Sequence, residues 1–234
     1  MKRAKIEICC GNINDIVNIQ GLDYDRIELN SALELGGLTP SINTLKEAKK
    51  LTDKPIMCMV RTKTGDFTYT QAEKEVMYED ARLLLENGAD GIVFGFLDDQ
   101  KRIDIEALKI MREITRGKEL VFHKAFDLIE DKIEALKILI ENDVDRVLLM
   151  NESGEELFDA AKRIGEYMDM FEGKIQLLPG GGVNEGNILK ILSLAKTGQV
   201  HGTFKETLSH DGLEHIEVSR QRVKDVIEIL SKED

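Results

Sequence analysis

The 234-residue sequence predicts a single α/β domain over residues 1–234, a (β/α)8 TIM barrel, and three observations lead there. Short apolar runs alternate with segments of helical period along the whole chain. From the third run onward most starts lie about 27 residues apart, the length of one βα unit. A Rossmann sheet would carry Gly-x-Gly-x-x-Gly after the first run, and only Gly11 is there. Eight alternating units without a break favour a closed barrel over an open sheet.

The expected strands are Lys5–Cys10, Arg26–Asn30, Pro55–Arg61, Gly91–Phe96, Glu119–Phe126, Arg146–Met150, Lys174–Leu178 and Val200–Phe204. Between the first two strands only the short segment Asn12–Gln20 is left for a helix, and Ser41–Thr52 is the next. Thr70 with Glu73, and Ser153 with Glu156, read as capping boxes. Asp104 and Asn184 are expected N-caps, and Gly88 and Gly198 sit where helices end on glycine. A faint repeat leads from helix ends into strands at Gly21–Ile27, Gly88–Ile92 and Asn142–Val147, the amino ends where a barrel keeps its stability turns.

Composition bounds the function. The net charge is −12, and no Lys/Arg cluster offers the basic face that duplex nucleic acid or an anionic membrane requires. A small anion needs no such face, because backbone N–H groups at a helix start suffice. No stretch reaches the ~18 apolar residues of a membrane span, and the first residues lack the apolar run of a signal peptide. Three cysteines, two of them adjacent, do not make a secreted disulfide framework, so the cytosol is the expected compartment.

Strand parity sorts the side chains into a helix-facing and a lumenal set. Ile6 and Ile8 share one face of the first strand, leaving Glu7 and Cys9 on the other; Ile27 and Leu29 oppose Glu28 and Asn30. Arg61 is in phase with Met57 and Met59, His123 with Val121 and Asp127, and His201 with Thr203. Glu7, Glu28, Arg61, His123 and His201 thus converge from five strands at the carboxyl-terminal rim, where this fold places its catalytic groups. One reading is a buried salt-bridge network in which Arg61 neutralises Glu7 and Glu28. The other is an active site, with Glu7 or Glu28, His123 and Asp127 as candidate acid–base groups and His201 beside them.

Pro179-Gly180-Gly181-Gly182-Val183-Asn184 follows the seventh strand directly. Three consecutive glycines exceed the needs of one turn, and loops after the last two strands are the usual phosphate site of this fold. Gly180, Gly181 and Gly182, with Thr203, are therefore the candidate ligand-binding backbone. The loop after the third strand carries Arg61 and Lys63, which either close over an anion or balance local carboxylates. A lumenal Cys9 is the candidate soft-metal ligand. Cys10 and Cys58 read as plain buried thiols, and His210 and His215 as surface residues of a late loop.

Several of these stretches resemble the CutC family of copper homeostasis proteins. They are Glu7–Gly11, Arg26–Ser41 with its Glu34-Leu35-Gly36-Gly37-Leu38-Thr39-Pro40-Ser41 run, Arg61, Gly65–Phe67 and Gly88–Gly95. Phe122–Asp127, Leu178–Gly182 and Val200–Gly202 complete the set, so the likeness covers nearly the whole chain in order. The resemblance implies a cytosolic barrel, often oligomeric, linked to copper tolerance and to Cu(I) binding through cysteines. Two positions depart from it. Asn30 stands where the family usually has a second lumenal cysteine, and Asn is a poor ligand for soft Cu(I). Lys124 stands where arginine is usual, keeping the charge and losing the bidentate fork. Two functions follow as expectations: Cu(I) binding through Cys9 in copper homeostasis, or an enzyme acting on a small anionic or phosphorylated metabolite.

Overall fold

The computed structural model describes residues 3–150, 154–211 and 213–232. Eight parallel strands form the barrel: β1 Lys5–Cys10, β2 Arg26–Leu29, β3 Ile56–Met59, β4 Gly91–Phe94, β5 Glu119–Phe122, β6 Arg146–Leu149, β7 Gln176–Pro179 and β8 Gln199–Gly202. They are ordered β7-β6-β5-β4-β3-β2-β1-β8. The seam between β7 and β8 is bridged by side chains: the Thr197 hydroxyl and the Gln199 amide both donate to the Leu177 carbonyl, at 3.1 and 3.3 Å. Eight helices surround the sheet: α1 Ile13–Ile19, α2 Ile42–Leu51, α3 Gln71–Glu86, α4 Ile105–Ile114, α5 Lys132–Glu141, α6 Leu157–Met170, α7 Ile188–Ala195 and α8 Arg220–Ser231.

Local chemistry sets most of these boundaries. α3 starts in the expected capping box, Thr70 accepting from the Glu73 N–H while Glu73 reaches back to the Thr70 N–H. Asp104 caps α4, and α2 starts on Ser41. α1 is short but carries its own box, Asn12 with Asp15. Gly88, at φ +100°, ends α3 in a conformation that β-carbons disfavour.

Other boundaries differ from the sequence reading. α6 begins at Leu157 with Glu156 as its cap residue, so Glu156 is not at the third helical position; Ser153 lies outside the described residues. α7 begins at Ile188 with Asn187 as its cap residue, after a turn headed by Asn184. It ends on Lys196 in the left-handed region (φ +51°), not at Gly198. β5 stops at Phe122, because the next residues coil into a 3₁₀ turn, Lys124–Leu128, capped by His123. The late loop is a hairpin instead, β9 Lys205–His210 paired with β10 Leu213–Val218. The Ser219 N–H closes its base on the Phe204 carbonyl (3.0 Å), and Asp15 accepts the Val218 N–H (2.8 Å).

The lumen and the outer layer separate as parity requires. Ile6, Ile8, Cys10, Ile27, Leu29, Cys58 and Phe94 pack in the main core against the helices, while Met57, Met59, Val93 and Val121 form a separate lumenal cluster. That cluster comes from β3, β4 and β5. The side of the lumen built by β1, β2, β6 and β8 carries the charged groups. Each apolar side chain buried this way contributes about 1.5–3 kcal/mol, which holds the wall that fixes the polar half.

Candidate functional site

Strand register assembles the polar lumen. In the β1–β2 ladder Glu7 lies opposite Arg26 and Cys9 opposite Glu28; in the β1–β8 ladder Glu7 lies opposite His201. The Arg26 guanidinium binds Glu7 directly, His201 Nδ1 lies 2.8 Å from Glu7 Oε1, and Arg146 approaches Glu7 at 3.8 Å. Arg146 also pairs with Glu119 at 2.7 Å. Burial opposes the Glu7 charge, but Arg26, His201 and Arg146 outweigh it and hold the carboxyl well below the usual carboxylate range. Arg61 plays no part in this neutralisation. The arginines that do, Arg26 and Arg146, share lumenal parity with Glu28 and Leu148, a signal the sequence reading passed over.

One layer higher, Glu28 Oε2 gathers three neighbours. Cys9 Sγ lies 3.2 Å from it, Asn30 Nδ2 donates at 2.9 Å, and His201 Nε2 stands at 3.8 Å. One ligand atom each from Cys9, Glu28 and His201 falls within 4.8 Å of the others, and all three residues are buried. Burial pushes the Cys9 thiol well up, and the nearby Glu28 carboxylate adds to it, so the sulfur holds its proton at neutral pH. For His201, burial works toward the neutral form. Glu28 and Glu7 outweigh it and raise its pKa above the ordinary histidine value.

A cavity of about 360 Å³ opens above this cluster at the carboxyl-terminal end. Cys9, Glu28, Asn30 and His201 form its floor, and His123 and Lys124 line it as well. Gly181, Gly182 and Thr203 also line it, together with the thioether residues Met59 and Met150. Gly181 and Gly182 adopt φ of +71° and +84°, which demands glycine. Gly180 is outside the left-handed region and its N–H is spent on the Leu149 carbonyl; a β-carbon there would meet Leu148 at 2.8 Å and His201 at 3.3 Å. Of the three glycines, then, two form the loop and one makes room for the imidazole.

His123 accepts the Ala125 N–H on Nδ1 (3.1 Å), which assigns its proton to Nε2. Burial, reinforced by Arg61 and Lys124, pushes its pKa down to about 3, so it is neutral at physiological pH. Asp127 does not share its face. The 3₁₀ turn breaks the strand parity, and Asp127 accepts the Met150 N–H at 3.1 Å, away from the cavity wall. Arg61 is buried and donates to the carbonyls of Gly36, Gly37 and Gly65 while stacking on Phe67. Lys63 is balanced locally by Asp66 and Glu73. Cys10 and Cys58 are buried in the outer core, with thiols pushed up by that burial. His215 is half-exposed beside Glu217 at 3.5 Å, on a hairpin outside the barrel.

The CutC family profile matches residues 4–206. The chain belongs to the CutC family. A CutC protein of Treponema denticola is 43% identical over 203 residues, covering 86% of this chain and 81% of that one. The human copper homeostasis protein cutC homolog is 35% identical, over 86% and 74% of the two chains. A crystal structure of CutC from Streptococcus agalactiae superposes with a TM-score of 0.82 at 31% identity, covering 86% of this chain and 98% of that one. A 3-hexulose-6-phosphate synthase from Salmonella typhimurium, 15% identical with a TM-score of 0.65, covers 98% and 100% of the two chains and shares the barrel fold alone. Among the described residues no helix is long and apolar enough to cross a membrane.

Proposed function

We propose that this CutC-family chain binds a copper ion, as Cu(I), at the mouth of its barrel and serves copper homeostasis in the cytosol. The observation that carries the reading is the buried Cys9–Glu28–His201 cluster with its ligand atoms within 4.8 Å. A thiol and an imidazole suit a soft or borderline cation, and the thioethers of Met59 and Met150 line the same cavity. Cys9 and His201 would hold the ion, which would supply positive charge beside Glu28. Cys9 must lose its proton to bind, and Glu28 Oε2, 3.2 Å away, is the nearest base. Asn30 supplies no second thiolate, so one sulfur has to carry most of the affinity. Free, buried cysteines agree with a reducing compartment, and the half-exposed Val76 and Leu83 on α3 agree with a homo-oligomer.

The test is an anaerobic Cu(I) titration against a competing chelator. Stoichiometric binding that survives Cys10→Ser and is lost in Cys9→Ser supports the reading. Weak binding that ignores both substitutions refutes it.

A second reading is favoured by the Glu7–His201–Glu28 chain: an enzyme acting on a small anionic metabolite. His201, its pKa raised by the two carboxylates beside it, would be the acid in its protonated form and Glu28 the base. Turnover abolished by Glu28→Gln with the fold intact would support it. A Glu28→Gln variant as active as the wild type would sink it.

A further inference from the structure

The charged lumen is balanced on its β1–β2–β8 side and unbalanced on the other. Arg61 and Lys124 meet at Gly36: Arg61 Nη1 donates to its carbonyl at 3.1 Å and Lys124 Nζ to the same oxygen at 2.9 Å. Two cations therefore share one carbonyl oxygen. Among the described residues neither has a carboxylate within ion-pair distance, although almost every other buried or half-buried cation of the lumen does. Beside them His123, which is fully buried and lines the cavity, has a proton-bearing Nε2 with no hydrogen-bond partner. Arg61 Nε is a second buried donor without a partner. A buried donor left unmet costs free energy, and two adjacent cations repel; Glu28 and Asp127 act on Lys124 only from beyond ion-pair distance. Such a cost is retained where a ligand removes it.

The geometry points to an oxyanion seat formed by His123 Nε2–H and Lys124 Nζ, with the buried Arg61 charge behind them, for the carboxylate or phosphate of a small metabolite. The seat and the Cys9–Glu28–His201 cluster line one cavity of about 360 Å³. That volume suits a ligand of few carbons, with its anionic end at His123 and Lys124 and a polar or carbonyl function facing Glu28 and His201. The seat differs from the one the sequence suggested, since Arg61 is spent on carbonyls and acts only through its field. It deepens the second functional reading and is independent of copper. Lys124 is a point charge with three N–H donors, one of them given to the Gly36 carbonyl, so others remain for the anion.

The experiment follows the His123 Nε2–H resonance and the melting temperature during separate titrations with inorganic phosphate and with malonate at constant ionic strength. Saturable movement of that resonance with a rise in Tm is expected for one of the two, and which one responds names the oxyanion. Lys124→Met is expected to weaken the response at least tenfold, and Lys124→Arg to retain it. The proposal is overturned if neither anion moves the resonance or if Lys124→Met responds like the wild type. Turnover measurements judge the enzymatic reading separately and leave this titration untouched.

Discussion

Glu7→Gln is the most informative single perturbation of the lumen. Three buried or half-buried carboxylates, Glu7, Glu28 and Glu119, face Arg26, Arg146 and the His201 ring, whose pKa is raised. The substitution keeps the shape and one acceptor oxygen but removes the negative charge that Arg26 pairs with. Arg146 retains Glu119 at 2.7 Å, and Arg26 retains only the neutral Gln199 at 3.2 Å. Breaking a buried pair from one side costs about 3–5 kcal/mol. Against a typical total of about 5–15 kcal/mol that is a large fraction of the stability. The second consequence is electrostatic: with one of its two carboxylates gone, burial weighs more heavily on His201 and its pKa falls toward the neutral-favouring side. Urea unfolding at pH 7 reads the first effect, and NMR titration of the His201 ring reads the second. A loss below about 1 kcal/mol with an unchanged His201 titration would refute the account of Glu7 as the hub, because a buried charge would then be missing its partner at no cost.

Further outcomes follow from the same geometry. His123 is held neutral in the fold, with its pKa at about 3, so its contribution is complete above the ordinary histidine value of 6.5 and is lost as pH falls toward 3. Between pH 7 and pH 5 that is about 2 kcal/mol of stability, measurable by urea midpoints and removed in a folded His123→Gln variant. His201 runs the other way: its raised pKa stabilises the fold below 6.5, and that contribution fades as pH rises through its folded value. Gly165→Ala on α6 is expected to destabilise by about 1–3 kcal/mol, because its β-carbon would fall on the Leu194 backbone carbonyl of α7; an unchanged Tm would contradict that packing. Asp127→Ala should cost about 1–2 kcal/mol by stripping the Met150 N–H of its acceptor, and it should leave anion binding at His123 in place.

The sequence by itself determined the barrel, because strand parity and βα spacing are local. The alternation of Ile6, Glu7, Ile8 and Cys9, or of Ile27, Glu28, Leu29 and Asn30, sends each side chain to the face the structure gives it. The capping boxes and N-caps at Thr70 and Asp104 were legible for the same reason. The Asp211-Gly212 pair between two alternating segments was a legible hairpin signal that the sequence reading took for a loop. What only the tertiary structure decided depends on contacts between distant residues. Parity puts Glu7, Arg26 and Arg146 in the lumen, but the ladder register decides that Arg26 and Arg146, not Arg61, neutralise Glu7. The 3₁₀ turn after Phe122 ends the period of two, so it turns Asp127 away and gives the cavity Lys124. Arg61 has the right phase for the lumen and is claimed instead by carbonyls of the loops after β2 and β3. A residue's face follows from its neighbours in sequence; its partner follows from loops that pack across the barrel, and those are fixed only once the strands have closed.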